Sequence, residues 1–167
     1  GASWTNLGAG VSAEEFPCVF ALAHDGTNLY AGGDFSIAGE TNANFIARWD
    51  GETWHPLGAG VFGDEYPATV NALSMVGATL YVGGYFFTAG DTNAAFIAQW
   101  NGTDWAPVGG DFDGSVWALR TSGDKLYAGG WFTDADGMPM TNAAVWSTTS
   151  GSWTNLASGI DTAQDVH

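Results

Sequence analysis

Two short stretches of the chain bring carboxylates together at a spacing that could hold a cation. Asp111-Phe112-Asp113-Gly114 and Asp134-Ala135-Asp136-Gly137 each set two acids at i, i+2 ahead of a turn glycine. Hard oxygen ligands on a flexible loop suit Ca²⁺, so Asp111, Asp113, Asp134 and Asp136 are the metal ligands the sequence offers. Neither stretch has the further acids and closing glutamate of a twelve-residue calcium loop. Asp-x-Asp-Gly also builds ordinary Asx turns. The cofactor reading is therefore none, with Ca²⁺ as the open alternative.

Catalytic groups do not assemble from the sequence. His24, His55 and His167 occupy unrelated places, and Thr5, Ala106 and Thr154 stand where His55 would recur. An arginine cluster for a sialoside carboxylate would have to come from Arg48 and Arg120 alone. Asp50-Gly51-Glu52-Thr53-Trp54 partly matches a sialidase Asp-box but lacks its Ser-x-Asp-x-Gly order. Paired carboxylates for glycoside hydrolysis depend on a separation that sequence does not give. The expectation is a protein that is not an enzyme.

The composition narrows the partners. A chain of 167 residues with 46% hydrophobic content can bury one core. Its net charge is −15, with Arg48, Arg120 and Lys125 as the fixed cations, which repels phosphate backbones and excludes nucleic acid. Aromatic residues at 14% distinguish it from a disordered acidic tail. Cys18 is the sole cysteine, so no intrachain disulfide forms, and it reads as a small core or near-core residue. No apolar run is long enough to span a bilayer as a helix, and no signal peptide is visible. Few lysines, many Thr, Asn and Gly, and the sequon Asn101-Gly102-Thr103 fit an extracellular or cell-surface setting.

These residues are carried by a threefold repeat. Val19-x-Ala21-Leu22, Val70-x-Ala72-Leu73 and Val116-x-Ala118-Leu119 open the units, at steps of 51 and 46 residues. Each leads through a glycine turn to Leu-Tyr-x-Gly-Gly at 29–33, 80–84 and 126–130. From the second glycine of that pair to a marker tryptophan (Trp49, Trp100, Trp146) is 16 residues in every unit, and a short hairpin then reaches Trp54, Trp105 or Trp153. Four strand-like segments per unit, such as CVFALAH, NLYAG, FIARW and TWHPL, alternate and are rich in aromatic and β-branched residues. A period near 50 residues with four strands predicts blades of a β-propeller. The marker tryptophans are expected to pack between blades.

The order V-x-A-L, LYxGG, then a hairpin ending in Trp resembles the kelch-type blade. The fuller wording LYxGGxF…A-x-W-[DN]-G…W-x-P-[LV]-G is similar to delta-60-like bacterial secreted propeller repeats and to the repeats of fungal cortical-marker surface proteins. The resemblance implies an all-β propeller segment, about three four-stranded blades plus one extra strand, part of a larger ring. The expected divisions are 1–10 (last strand of a preceding blade), 11–58, 59–109 and 110–159 (three blades), and 160–167 (start of the next blade or tail). Ser3-Trp4-Thr5-Asn6-Leu7 repeats Ser152-Trp153-Thr154-Asn155-Leu156, so the chain reads as a cut through a longer array. Three blades cannot close a ring, so the expected partners are further blades from the same parent chain or from other copies.

Connectivity of a meander separates two loop sets. Turns between strands 1 and 2 and between strands 3 and 4 are tight; those between strands 2 and 3, and between units, are long. The long set carries Glu14, Glu15, Asp34, Asp64, Glu65, Tyr66, Phe87, Asp111 and Asp113, an acidic and aromatic face expected to bind a protein partner or serve as scaffold. The alternative is a lectin. Arg48-Trp49-Asp50-Gly51-Glu52-Thr53-Trp54 is similar to the Trp-Asp-Gly-x-x-Trp hairpin of small fucose-binding propeller lectins, where an Arg and a Glu join the Trp. Here the Arg48 position reads Gln99 and Val145 in the other units.

Overall fold

Every V-x-A-L stretch becomes the first strand of a four-stranded antiparallel meander. The structure, a computed structural model, describes Ser3 and residues 5–156, and the described residues are all-β. Unit 1 comprises Cys18–His24, Leu29–Asp34, Ile46–Trp49 and Trp54–Pro56. Unit 2 comprises Thr69–Val76, Thr79–Tyr85, Ile97–Trp100 and Trp105–Pro107. Unit 3 comprises Val116–Ser122, Lys125–Gly130, Ala143–Ser147 and Ser152–Asn155. Strands pair in chain order within each sheet.

The repeated words have a common geometry. In each first strand the x of V-x-A-L has no partner across the ladder: Val19 faces Gly33 and Ala21 faces Gly32, so Phe20 is the bulge. Asn71 and Trp117 are skipped in the same way. A bulge residue inserted between them lets Val and Leu, three apart, serve one face. The second glycine of each pair lies opposite the bulge, where a Cβ on Gly33, Gly84 or Gly130 would overlap the carbonyl oxygen of Cys18, Thr69 or Ser115. The first glycine answers to the next unit. A Cβ on Gly32 would overlap Val70, and one on Gly83 would come within 2.6 Å of Val116.

Neighbouring units meet through these inner strands. Thr69–Val76 packs on the first and second strands of unit 1, and Val116–Ser122 packs likewise on unit 2. Leu29, Trp49 and Trp54 are successive cross-strand neighbours, as are Leu80, Trp100 and Trp105, and Leu126, Trp146 and Trp153. Trp100 and Trp146 are buried as expected of packing blocks, while Trp49 is half-buried.

The fourth-strand tryptophan fastens each unit to the one before it. The indole N–H of Trp105 donates to the Leu57 carbonyl at 2.8 Å, and that of Trp153 to the Val108 carbonyl at 2.8 Å. Trp54 does the same to Leu7 at 2.9 Å. Leu7 thus plays the part of a fourth-strand end, although residues 5–7 form no strand; Trp4 lies outside the described residues. The division at 160–167 also falls outside them. Cys18 is exposed rather than near-core, because among the described residues no earlier unit covers the first strand of unit 1.

Candidate functional site

The long connections are built structures. Between the second and third strands of unit 1, Ile37–Ala38 and Thr41–Asn42 form a hairpin, and the incoming connector adds Val11–Ser12 as a third strand. Val61–Phe62, Thr88–Ala89 and Thr92–Asn93 repeat this in unit 2. In unit 3 the hairpin is Asp134–Ala135 with Met138–Pro139, and Phe112 bridges Ala135. The chain returns from each hairpin through a residue at positive φ: Phe45 at 74°, Phe96 at 67° and Asn142 at 62°.

That bridge brings the two Asp-x-Asp-Gly stretches face to face. The Asp113 N–H donates to the Asp134 carbonyl at 3.3 Å, and the Asp136 N–H to the Asp111 carbonyl at 3.1 Å. Two of the four carboxylates, those of Asp111 and Asp113, accept hydrogen bonds. Asp113 Oδ1 accepts the N–H groups of Thr133 (2.7 Å) and Asp134 (2.9 Å), and its Oδ2 accepts the Thr133 hydroxyl. Burial opposes its charge, but these donors outweigh it and hold the carboxyl below its usual range. Asp111 Oδ1 accepts the Ala95 N–H at 3.1 Å, tying units 2 and 3. Among the described residues no three His, Cys, Asp or Glu side chains converge as a metal site.

The other face residues lie apart from this pair. Glu14, Glu15, Asp64, Glu65 and Tyr66 are exposed on the connectors before units 1 and 2. Asp34 ends a second strand opposite Cys18 and is half-buried. Phe87 packs edge-on to Tyr85 (5.7 Å) and Phe96 (5.1 Å) against the core shared by units 2 and 3.

The separation of loops into two faces is incomplete at the outer edge. The hairpin between strands 2 and 3 folds back along the fourth strand, so Glu40 and Thr41 share a pocket of about 310 Å³ with Glu52, Thr53, Trp49 and Trp54. Asp91, Thr92, Thr103, Asp104, Trp100 and Trp105 line its counterpart in unit 2, about 240 Å³. Sequence reasoning missed this recurrence, whose signal is the shared acid-Thr pair after Gly39 and Gly90. It also missed a groove of about 440 Å³ on unit 3 between Trp117, Trp131 and Asn142. Its signal is tryptophan where the other units carry Phe20 or Asn71, and Asp34 or Tyr85.

The tight turns are structural. Asp25 Oδ1 accepts from Thr27 and Asn28, Asp50 Oδ1 from Glu52 and Thr53, and Asn101 Oδ1 from Thr103 and Asp104. The Asn28 N–H above all keeps Asp25 well below the usual carboxylate range. For Asp50 the Thr53 and Glu52 N–H groups do so, with His55 Nε2 adding a 2.6 Å contact. Burial, then the hydrogen bond to Asp25, pushes the Tyr30 phenol up to about 12. His55 is thereby engaged in its own hairpin, also 3.1 Å from the Thr53 hydroxyl.

No family model matches the chain, and no curated protein matches it. Among solved structures it is similar to the crystal structure of a computationally designed protein, Ika8, at 14% identity and a TM-score of 0.42. The alignment covers 80% of this chain, which spans about half (47%) of that one.

Proposed function

We propose that this chain is a run of three blades of a larger kelch-like β-propeller, extracellular or on the cell surface, that carries no catalysis and offers its long-loop side to a protein partner. Sheets joined from fourth strand to next first strand, and meeting through their inner strands, support the propeller arrangement. The observation that carries the binding role is the second tier of hairpins. It gives the long connections a fixed frame, beside which Glu14, Glu15, Glu65 and Tyr66 remain exposed. With a net charge of −15, the complementary partner surface is basic.

Polylysine is a suitable probe, measured by calorimetry at low and physiological salt. Glu14→Gln/Glu15→Gln/Glu65→Gln is expected to weaken binding more than Glu52→Gln/Asp104→Asn/Asp124→Asn, which removes the same charge from the tight turns. Equal weakening would reduce the effect to net charge and end the reading.

A second reading rests on the recurrent tryptophan pocket, which joins an aromatic wall to an acid and hydroxyls in two units, as sugar sites do. Against it, the Trp54 and Trp105 indole N–H groups are committed to backbone carbonyls. Titrating tryptophan fluorescence with a monosaccharide panel separates the two. The scaffold reading expects no saturable change; saturation abolished by Glu52→Gln would establish the lectin.

A further inference from the structure

One pocket is built twice at the outer edge of the chain, and its two copies share a chemistry. In unit 1 the indoles of Trp49 and Trp54, 5.4 Å apart and inclined at 57°, line it together with the exposed acids Glu40 and Glu52. In unit 2 Trp100 and Trp105 repeat the indole pair at 5.1 Å and 54°, with Asp91 and Asp104 as the exposed acids. Neither lining includes a lysine, arginine or histidine. The indole N–H groups of Trp54 and Trp105 are committed to backbone carbonyls, so these rings offer the pocket π surface rather than a donor. Glycines keep that surface within reach. A Cβ on Gly39 would stand 3.4 Å from Trp54, and one on Gly90 would stand 2.9 Å from Trp105. The pocket of unit 2 runs from Gly58 to Trp105, with units 1 and 3 in place on either side, and it stays accessible.

Unit 3 differs at the same place. Its strand register sets Asp136-Gly137-Met138 where Gly39-Glu40-Thr41 and Gly90-Asp91-Thr92 stand. Glycine replaces the hairpin acid, a side chain replaces the glycine beside the ring, and no acid lies between Trp146 and Trp153.

We propose that the pockets of units 1 and 2 each bind an organic cation, a quaternary ammonium group held between the indole pair and the two carboxylates. The two parts of the lining select it jointly. A neutral sugar would use the rings and leave both carboxylates without a counter-charge. A hard metal ion would use the carboxylates, ask for about six or more oxygen ligands and gain nothing from the rings. A quaternary ammonium head is attracted by the indole π face and by the acids at once, and it needs no hydrogen-bond acceptor. Glu14, Glu15 and Glu65 take no part in these pockets, so failure here would leave the protein-binding reading untouched.

Choline is the probe, titrated into the whole chain while NMR follows the indole N–H resonances. The controls are sodium chloride and neohexyl alcohol, which has the shape of choline with carbon in place of the charged nitrogen. Saturable shifts are expected at Trp49, Trp54, Trp100 and Trp105 but not at Trp146 or Trp153. The neutral alcohol is expected to bind at least about tenfold more weakly. Glu40→Gln/Glu52→Gln is expected to weaken the unit 1 response by about tenfold or more and to leave the unit 2 response unchanged. Asp91→Asn/Asp104→Asn is expected to do the reverse. All four positions are exposed, and the untouched pocket in each variant reports that the chain has folded. Choline that gives no saturable shift would overturn the proposal. So would a response that either control reproduces, or one that survives in the pocket stripped of its acids.

Discussion

A single indole N–H ties one unit to the next. Trp105 is buried and its only polar atom meets the Leu57 carbonyl. Trp105→Phe keeps most of the ring and strands that carbonyl, at an expected cost of about 1–3 kcal/mol. Trp105→Ala opens a cavity and is expected to cost about 3–5 kcal/mol. Chemical denaturation of the two variants separates the hydrogen bond from the packing. The turn carboxylates give a second prediction. Asp25 and Asp50 are depressed in the folded chain, so the unfolded chain binds more protons below about pH 4. Their contribution is complete above that value and is lost as pH falls toward the folded value. Self-repulsion at a net charge of −15 acts the other way, easing as acids protonate. The melting temperature is therefore expected to peak near pH 4–5 and to fall on the acid side. Asp25→Asn, which keeps the turn acceptor as Asn101 does naturally, should flatten that acid limb.

Among the elements, the bulged first strand and the hairpin tier matter most. Gly84→Ala places a methyl group on the Thr69 carbonyl where the bulge brings the strands together. Overpacking of this kind costs about 1–3 kcal/mol, and the backbone obstacle puts this case at the upper end. Gly102→Ala, in an exposed turn with open space, meets no such obstacle and is limited by its φ of 105°. The hairpin of unit 3 depends on Asp113, whose carboxylate holds Thr133 and Asp134. Because that carboxylate is already spent, millimolar Ca²⁺ is expected to leave the melting temperature unchanged, and chelator to do nothing. A rise of several degrees, lost in Asp111→Asn, would instead establish calcium at the paired Asp-x-Asp stretches.

For the molecule as a whole, equivalent glycines have unequal consequences. Gly83→Val collides with Val116 inside the chain and is expected to cost about 3 kcal/mol or more in thermal or chemical unfolding. Gly129→Val, at the same strand position in unit 3, is expected to leave stability of the monomer nearly unchanged. Stabilities that fall together would mean that Gly129 is already covered within one chain.

The four-stranded meander of each unit, its strand order and the all-β class were legible because V-x-A-L, LYxGG and the tryptophans recur at fixed spacing, and local alternation reports which backbone can bury them. The bulge, too, was latent in a Val and a Leu three residues apart, a separation that a regular strand would send to opposite faces. The loops resisted the same reading. Ile37–Ala38 and Thr41–Asn42 are two residues each, too short to show a period, and the third strand beside them comes from a connector more than twenty residues earlier in the chain. The candidate acids were likewise found by type but not by role. Whether Asp113 faces solvent, an ion or its own backbone depends on Phe112 meeting Ala135, more than twenty residues away. The exposure of Cys18, Val19 and Leu22 was invisible for the same reason. Their sequence is that of a buried strand, and burial is a property of the neighbour, which no residue encodes by itself.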